Sequence, residues 1–141
     1  AQISQRAANW LKRSDEELPL CAIELSYTMH YLRSLALLPD SFEVYRATAE
    51  PIVAASEGSA SLEPRLTALF LRAMLHDVAG ENDSAISMLQ AVCEVAASAA
   101  EADAPTPDAW HAPFASLELA QMLLRRGDLD EAQAGAMLRE T

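Results

Sequence analysis

Apolar residues recur along this chain at three- and four-residue intervals, the spacing that lines one face of an α-helix. The pattern is clearest in the middle. Leu62, Leu66, Leu69, Phe70 and Ala73 share one face, and Ala85, Ile86, Leu89, Val92, Cys93 and Ala96 share another. No stretch alternates convincingly with the period of two that a half-buried strand requires. The pattern therefore predicts an all-α fold of about seven helices, punctuated by Pro, Gly and Ser. The first covers Gln2 to Arg13. The second starts at Pro19, whose missing N–H suits a first helical turn, and runs to Leu38, where Pro39 stops it. Leu20, Ile23, Leu25, Tyr27, Tyr31, Leu32 and Leu35 lie nearly all round this second helix, so it is expected to be central and buried. Ser41 is the expected cap of a third helix, which Pro51 kinks or splits and Glu57-Gly58-Ser59 ends. Ser61 caps the fourth, closed by Gly80, and the fifth runs from Asn82 to Ala100. A polar loop, Asp103 to Asp108, leads to a sixth helix from Pro113 to Arg126 that ends at Gly127. Asp128 and Glu131 then read as a capping box for the seventh, Leu129 to Glu140.

A repeat runs through the last four helices. Ala73 is followed by Gly80 and Ala85, and 47 residues later Ala120 is followed by Gly127 and Ala132. Close helix crossings need small residues opposite one another, which pairs Ala73 with Ala85 and Ala120 with Ala132. The intervening glycine supplies the left-handed conformation that ends the first helix of each pair. Residues 1–141 thus read as a single helical-repeat domain: irregular helices over 1–57, a repeat-like pair over 61–100 and a second over 113–140. The first residue is Ala, and the sequence opens in mid-pattern, so the chain reads as a piece of something longer.

The string Gly127-Asp128-Leu129-Asp130-Glu131-Ala132 closely resembles the turn inside a tetratricopeptide repeat. Leu89 matches the large apolar position after the second alanine, whereas Ala136 departs from it in the second copy. The 47-residue spacing exceeds the usual 34 of that repeat because the fifth helix is long and the loop from Asp103 to Pro113 is inserted. The C-terminal two-thirds is further similar to the C-terminal portion of the tetratricopeptide repeat protein 39 family, whose fungal members are inclusion-body clearance proteins. That similarity rests on Ala112-Pro113-Phe114, on Leu117-Glu118-Leu119-Ala120, and on Arg126 through Ala132, with Leu18 to Tyr31 resembling the family's apolar helix. It implies short stacked helix pairs forming a superhelix, a cytosolic scaffold linked to lipid and protein-aggregate handling, and no catalytic residues.

Composition narrows the function classes. The chain is 51% hydrophobic and 22% charged, which is globular, and carries a net charge of −11 from 21 acids and 10 bases. Phosphate backbones and anionic lipids attract Lys and Arg, so neither nucleic acid nor a membrane surface is an expected partner, and Lys12-Arg13 and Arg125-Arg126 are too short to change this. The most apolar run, Leu18 to Leu38, holds Glu24, His30 and Arg33, which argues against a membrane span. Cys21 and Cys93 form no CxxC, and free thiols of this kind fit a reducing, cytoplasmic setting. His30, His76 and His111 sit on separate segments with no metal-ligand spacing, and four scattered glycines make no phosphate loop. Asn82-Asp83-Ser84 matches a glycosylation acceptor by chance, and Met74, Met88, Met122 and Met137 read as core filler. No cofactor, metal or catalytic constellation is expected.

A protein partner is the expected ligand. In stacked helix pairs the first helix of each pair lines a concave face. Here that face would present Thr67, Phe70, Met74 and Asp77 from one pair, and Phe114, Leu117, Gln121 and Arg125 from the next. Phe70 and Leu117 equally suit ordinary packing between repeats. The last helix has no successor to cover it, so Met137 and Leu138 are expected to form an open edge for a partner or a second copy of the chain. The alternative is a structural helical subunit buried in a larger assembly.

Overall fold

The computed structural model describes residues 8, 11, 15–101 and 110–139, and within them the fold is all-α. Seven helices follow in order: α1 (Leu18–Thr28), α2 (Tyr31–Ser34, continuing into a 3-10 turn at Leu35–Leu37), α3 (Pro39–Glu57), α4 (Leu62–Val78), α5 (Asn82–Glu101), α6 (His111–Arg126) and α7 (Glu131–Arg139). Apart from Ala8 and Leu11, the expected opening helix, Gln2 to Arg13, lies outside the described residues, as does the loop Asp103 to Asp108.

From α3 onward each helix packs against the next, and α4 also touches α6. The N-terminal helix α1 returns over α4 and α3. This makes α4, and not the segment after Pro19, the central helix. Leu66, Ala68, Phe70, Leu71, Ala73, Met74 and Leu75 are all buried, because α1, α2, α3, α5 and α6 surround it.

The expected single helix from Pro19 to Leu38 is broken at His30, which adopts a left-handed conformation (φ 58°). The N–H groups of Met29 and His30 close on the carbonyls of Leu25 and Tyr27. The break has a packing reason. Residues seven apart share a face in a continuous helix, yet Leu25 is 43% exposed and Leu32 only 1%. The turn at His30 swings Leu32 and Leu35 into the core beside Leu20, Ile23 and Tyr27. Leu25 and Tyr31, expected inside, stay in solvent.

Two boundary expectations also change. Pro39 does not merely stop a helix; it opens α3 after a non-helical Leu38 (φ −134°, ψ 73°), so Ser41 falls inside the first turn instead of capping it. Pro51 neither splits nor ends α3, which runs on to Glu57. Pro51 and Ala47, whose carbonyl loses its intrahelical partner, are both exposed, so water can solvate the freed group. Ser61 precedes α4 in an extended conformation, as an N-cap residue does, although its side chain makes no capping bond.

The two turns of the repeat are alike in detail. Gly80 (φ +77°) and Gly127 (φ +78°) are both left-handed. In each, the glycine N–H donates to the carbonyl three residues back, and the next N–H donates to the carbonyl five back: Gly80 to Asp77 and Glu81 to His76, Gly127 to Leu124 and Asp128 to Leu123. These are two copies of the Schellman closure. The second helices differ. Ala85 is buried with Ala73, but Ala132 is exposed, and Ala134 takes the buried place on α7. The cause is where α7 starts. Asp130 and Gln133 form the reciprocal capping box (2.8 and 2.9 Å), two residues beyond the expected Asp128–Glu131 pair. Asp128 instead pairs with Arg126.

Candidate functional site

The face formed by α4 and α6 is the candidate site, and the structure splits its eight expected residues. Thr67, Phe70 and Met74 are at most 2% exposed and are therefore core, not a surface open to a partner. The chain itself covers them. Tyr27 of α1 sets its ring edge-on to Phe70 at 4.9 Å and to Phe114 at 6.5 Å, and Trp110 closes the other side of Phe70 at 5.3 Å. The Thr67 hydroxyl and the His111 ring share a buried 2.8 Å hydrogen bond, with the His111 ring stacked on Trp110. Asp77 is held at the far end by the Arg125 guanidinium (3.1 Å). Only the α6 half stays accessible: Phe114 and Leu117 are 37% and 38% exposed, Leu124 is similar, and Gln121 and Arg125 border them.

Two polar clusters join these helices. Glu118, on α6 but 4% exposed, accepts the Tyr27 hydroxyl (2.8 Å) and pairs with the Arg33 guanidinium, which also reaches Gln121. Burial, and then the negative charge of Glu118, push the Tyr27 hydroxyl far above an ordinary phenol, so it stays a neutral donor. A carboxylate with two donors is well satisfied, and this one ties the α1–α2 corner to α6 across the top of α4. The second cluster sits at the α4–α5 turn. Arg46 of α3 pairs with Glu50 (2.6 Å) and Glu81 (2.9 Å), and His76 bonds Glu81. Hydrogen bonds from Arg46, then from His76, hold the Glu81 carboxyl below the usual carboxylate range. Glu81 is exposed, so this cluster fixes orientation more than it adds stability.

Tyr27, Arg33, His111 and Glu118 were not singled out from sequence as site residues. One signal was available: Glu118 interrupts the apolar string Leu117 to Ala120, and an acid placed in a buried register implies a donor brought from elsewhere. The donors lie 85 and 91 residues away, beyond the reach of periodicity.

Other chemistry is sparse. A hollow of about 620 Å³ at the start of α5 is lined by Gly80 to Ser84 and Arg126, but Arg126 is already paired with Asp83 and Asp128, each at 2.7 Å. Among the described residues no group of three His, Cys, Asp or Glu could hold a metal ion, and no helix is long and apolar enough to cross a membrane. At the C-terminal edge the two expected contact residues part company. Met137 packs against the core, so it does not belong to an open edge, while Leu138 is exposed. Comparison with family models, with curated proteins and with solved structures finds no match for this chain.

Proposed function

We propose that the chain is a non-catalytic protein-interaction scaffold of tetratricopeptide type that holds a protein partner on the outer side of α6. The observation that carries this reading is the repeated helix–turn–helix unit. Gly80 and Gly127 close two helix pairs with the same Schellman bonds, and the first helix of the second pair leaves Phe114 and Leu117 half in water. A superhelical stacking of the pairs, the kinship with the tetratricopeptide repeat protein 39 family and a cytoplasmic setting belong to the same proposal. Large apolar side chains rimmed by Gln121 and Arg125 are the composition of a protein contact, not of a polar solvated face.

A photo-crosslinking residue at position 117 tests it, with the same residue at Gln90, exposed on α5, as the control. A discrete cross-linked protein at 117 and none at 90 is the expected result. Equal labelling at both positions removes the α6 surface from the proposal. A structural-subunit reading is favoured by the apolar residues exposed at both ends, Leu18 and Leu138 among them. Size-exclusion chromatography separates the two, since a scaffold runs as a monodisperse species and a subunit stripped of its assembly aggregates.

A further inference from the structure

The ion pairs bordering the exposed side of α6 face the opposite way from those elsewhere. Phe114, Glu118, Gln121 and Arg125 fall at i, i+4, i+7 and i+11, one stripe of the helix, with Leu117 and Leu124 on the stripe beside it. At two points on this stripe a carboxylate lies inside and its guanidinium outside. The side chain of Arg33, on α2, is 41% exposed and that of its partner Glu118 5%; Arg125 is 60% exposed and its partner Asp77, on α4, 9%. In the other ion pairs among the described residues the acid is the more exposed member, as in Arg46–Glu81 and Arg126–Asp83, or the two are about equal, as in Arg72–Glu57.

A pair so oriented is neutral in sum but turns its positive end to water. The hydrogen bonds of Arg33 to Glu118 and Gln121, and of Arg125 to Asp77, all leave from Nη2, so the Nη1 donors of both guanidiniums remain for a ligand. Helix α6 itself exposes no carboxylate, because Glu118 is its single acid. In sequence the next acids, Asp108 and Asp128, fall beyond the two ends of the row, and Arg126 holds Asp128. On a chain of net charge −11, the apolar row Phe114, Leu117 and Leu124 thus runs beside a basic edge. The row spans about 15 Å of helix rise, which the apolar side of a three-turn helix matches. Resting on the interaction-scaffold reading of α6 and naming its partner, we infer that this face docks an amphipathic helix of another protein whose apolar side is bordered by Asp or Glu. The apolar row supplies affinity, and carboxylates meeting Arg33 and Arg125 fix the register and reject basic helices. An antiparallel second copy of the chain would set the two guanidinium edges against each other, and the net charge disfavours an anionic membrane.

The test titrates the full chain by calorimetry with a synthetic amphipathic helix, Leu on one side and Glu along its edges, and with the same peptide carrying Lys in place of Glu. The natural chain is compared with Leu117→Ser, with Asp77→Asn/Arg125→Gln, which removes the outward charge without stranding a carboxylate, and with Gln90→Ser on α5 as the control. The Glu peptide is expected to bind the natural chain and Gln90→Ser alike, about tenfold or more tighter than the Lys peptide. Leu117→Ser should weaken that binding, and Asp77→Asn/Arg125→Gln should narrow the preference between the peptides. Added salt should narrow the same preference in the natural chain, a measurement that depends on no variant folding. No binding of the Glu peptide, equal or tighter binding of the Lys peptide, or a preference left intact by salt and by the double variant overturns the inference. Equal binding of both peptides that Leu117→Ser weakens removes the charge selection and leaves the scaffold reading standing on α6. Binding that Leu117→Ser does not change removes the α6 surface from both. Tighter binding to vesicles of phosphatidylcholine and phosphatidylserine than to the peptide, or sedimentation as a dimer that Leu117→Ser dissociates, overturns the inference by making a membrane or a second copy the occupant.

Discussion

The two helix pairs begin identically and end differently. In both, a left-handed glycine turns the chain back with the same pair of hydrogen bonds. The first pair then continues into a 20-residue helix that buries Ala85, Ile86, Leu89, Val92 and Ala99, whereas the second has nine residues and buries Ala134 alone. The contrast teaches that a repeat's turn and its packing are separable. The turn is written by one glycine, but the register of the returning helix is set by its own N-cap. At α5 that register brings Ala85 onto α4; at α7 the Asp130–Gln133 box delays the start and Ala132 faces water.

Substitutions can widen or collapse this contrast. The largest effect is expected at Leu89, fully buried on α5, where Leu89→Ala should cost about 2–5 kcal/mol. Met137→Ala, half-buried on α7, should cost clearly less. Chemical denaturation of both variants measures the difference, and equal costs would mean that α7 is as integral to the core as α5. Next in size, Ala73→Leu should overpack the α4–α5 crossing by roughly 1–3 kcal/mol. Ala132→Leu, on an exposed position, should stay within about ±0.5 kcal/mol. An Ala132→Leu variant as damaged as Ala73→Leu would restore the symmetric crossing that the repeat pattern predicts.

Smaller, and equal in the two pairs, are the glycine effects. Nothing lies within 4 Å of a Cβ at Gly80 or Gly127, so Ala at either pays only for the left-handed backbone, about 1–2 kcal/mol. Unequal shifts in melting temperature for the two variants would break the identity of the turns. The smallest effect concerns the α7 cap: Asp130→Ala should cost about 1 kcal/mol. Asp128→Ala removes only an ion pair between partly exposed groups and should be near neutral. The reverse order would place the capping box at Asp128–Glu131.

The candidate site was legible in halves. Helical spacing put Phe70, Met74, Phe114 and Leu117 on the first helices of two pairs, and these helices do lie side by side. Periodicity names the apolar face of a helix but not the neighbour that meets it. Phe70 lost its expected exposure to Tyr27 and Trp110, and Met74 is buried as well, while Phe114 and Leu117 kept part of theirs.

By itself the sequence determined the all-α class, the central pairs, and the closures at Gly80 and Gly127. Each of these depends on residues within one or two turns of one another: a 3.6-residue period and a glycine free to take positive φ. The tertiary structure alone decided the break at His30, which no Gly or Pro announces. It also decided the burial of Glu118 beneath Tyr27, 91 residues away, and the choice of α4 as the central helix. Those outcomes rest on which elements return over α4, and they become favourable only once contacts distant in sequence are formed together.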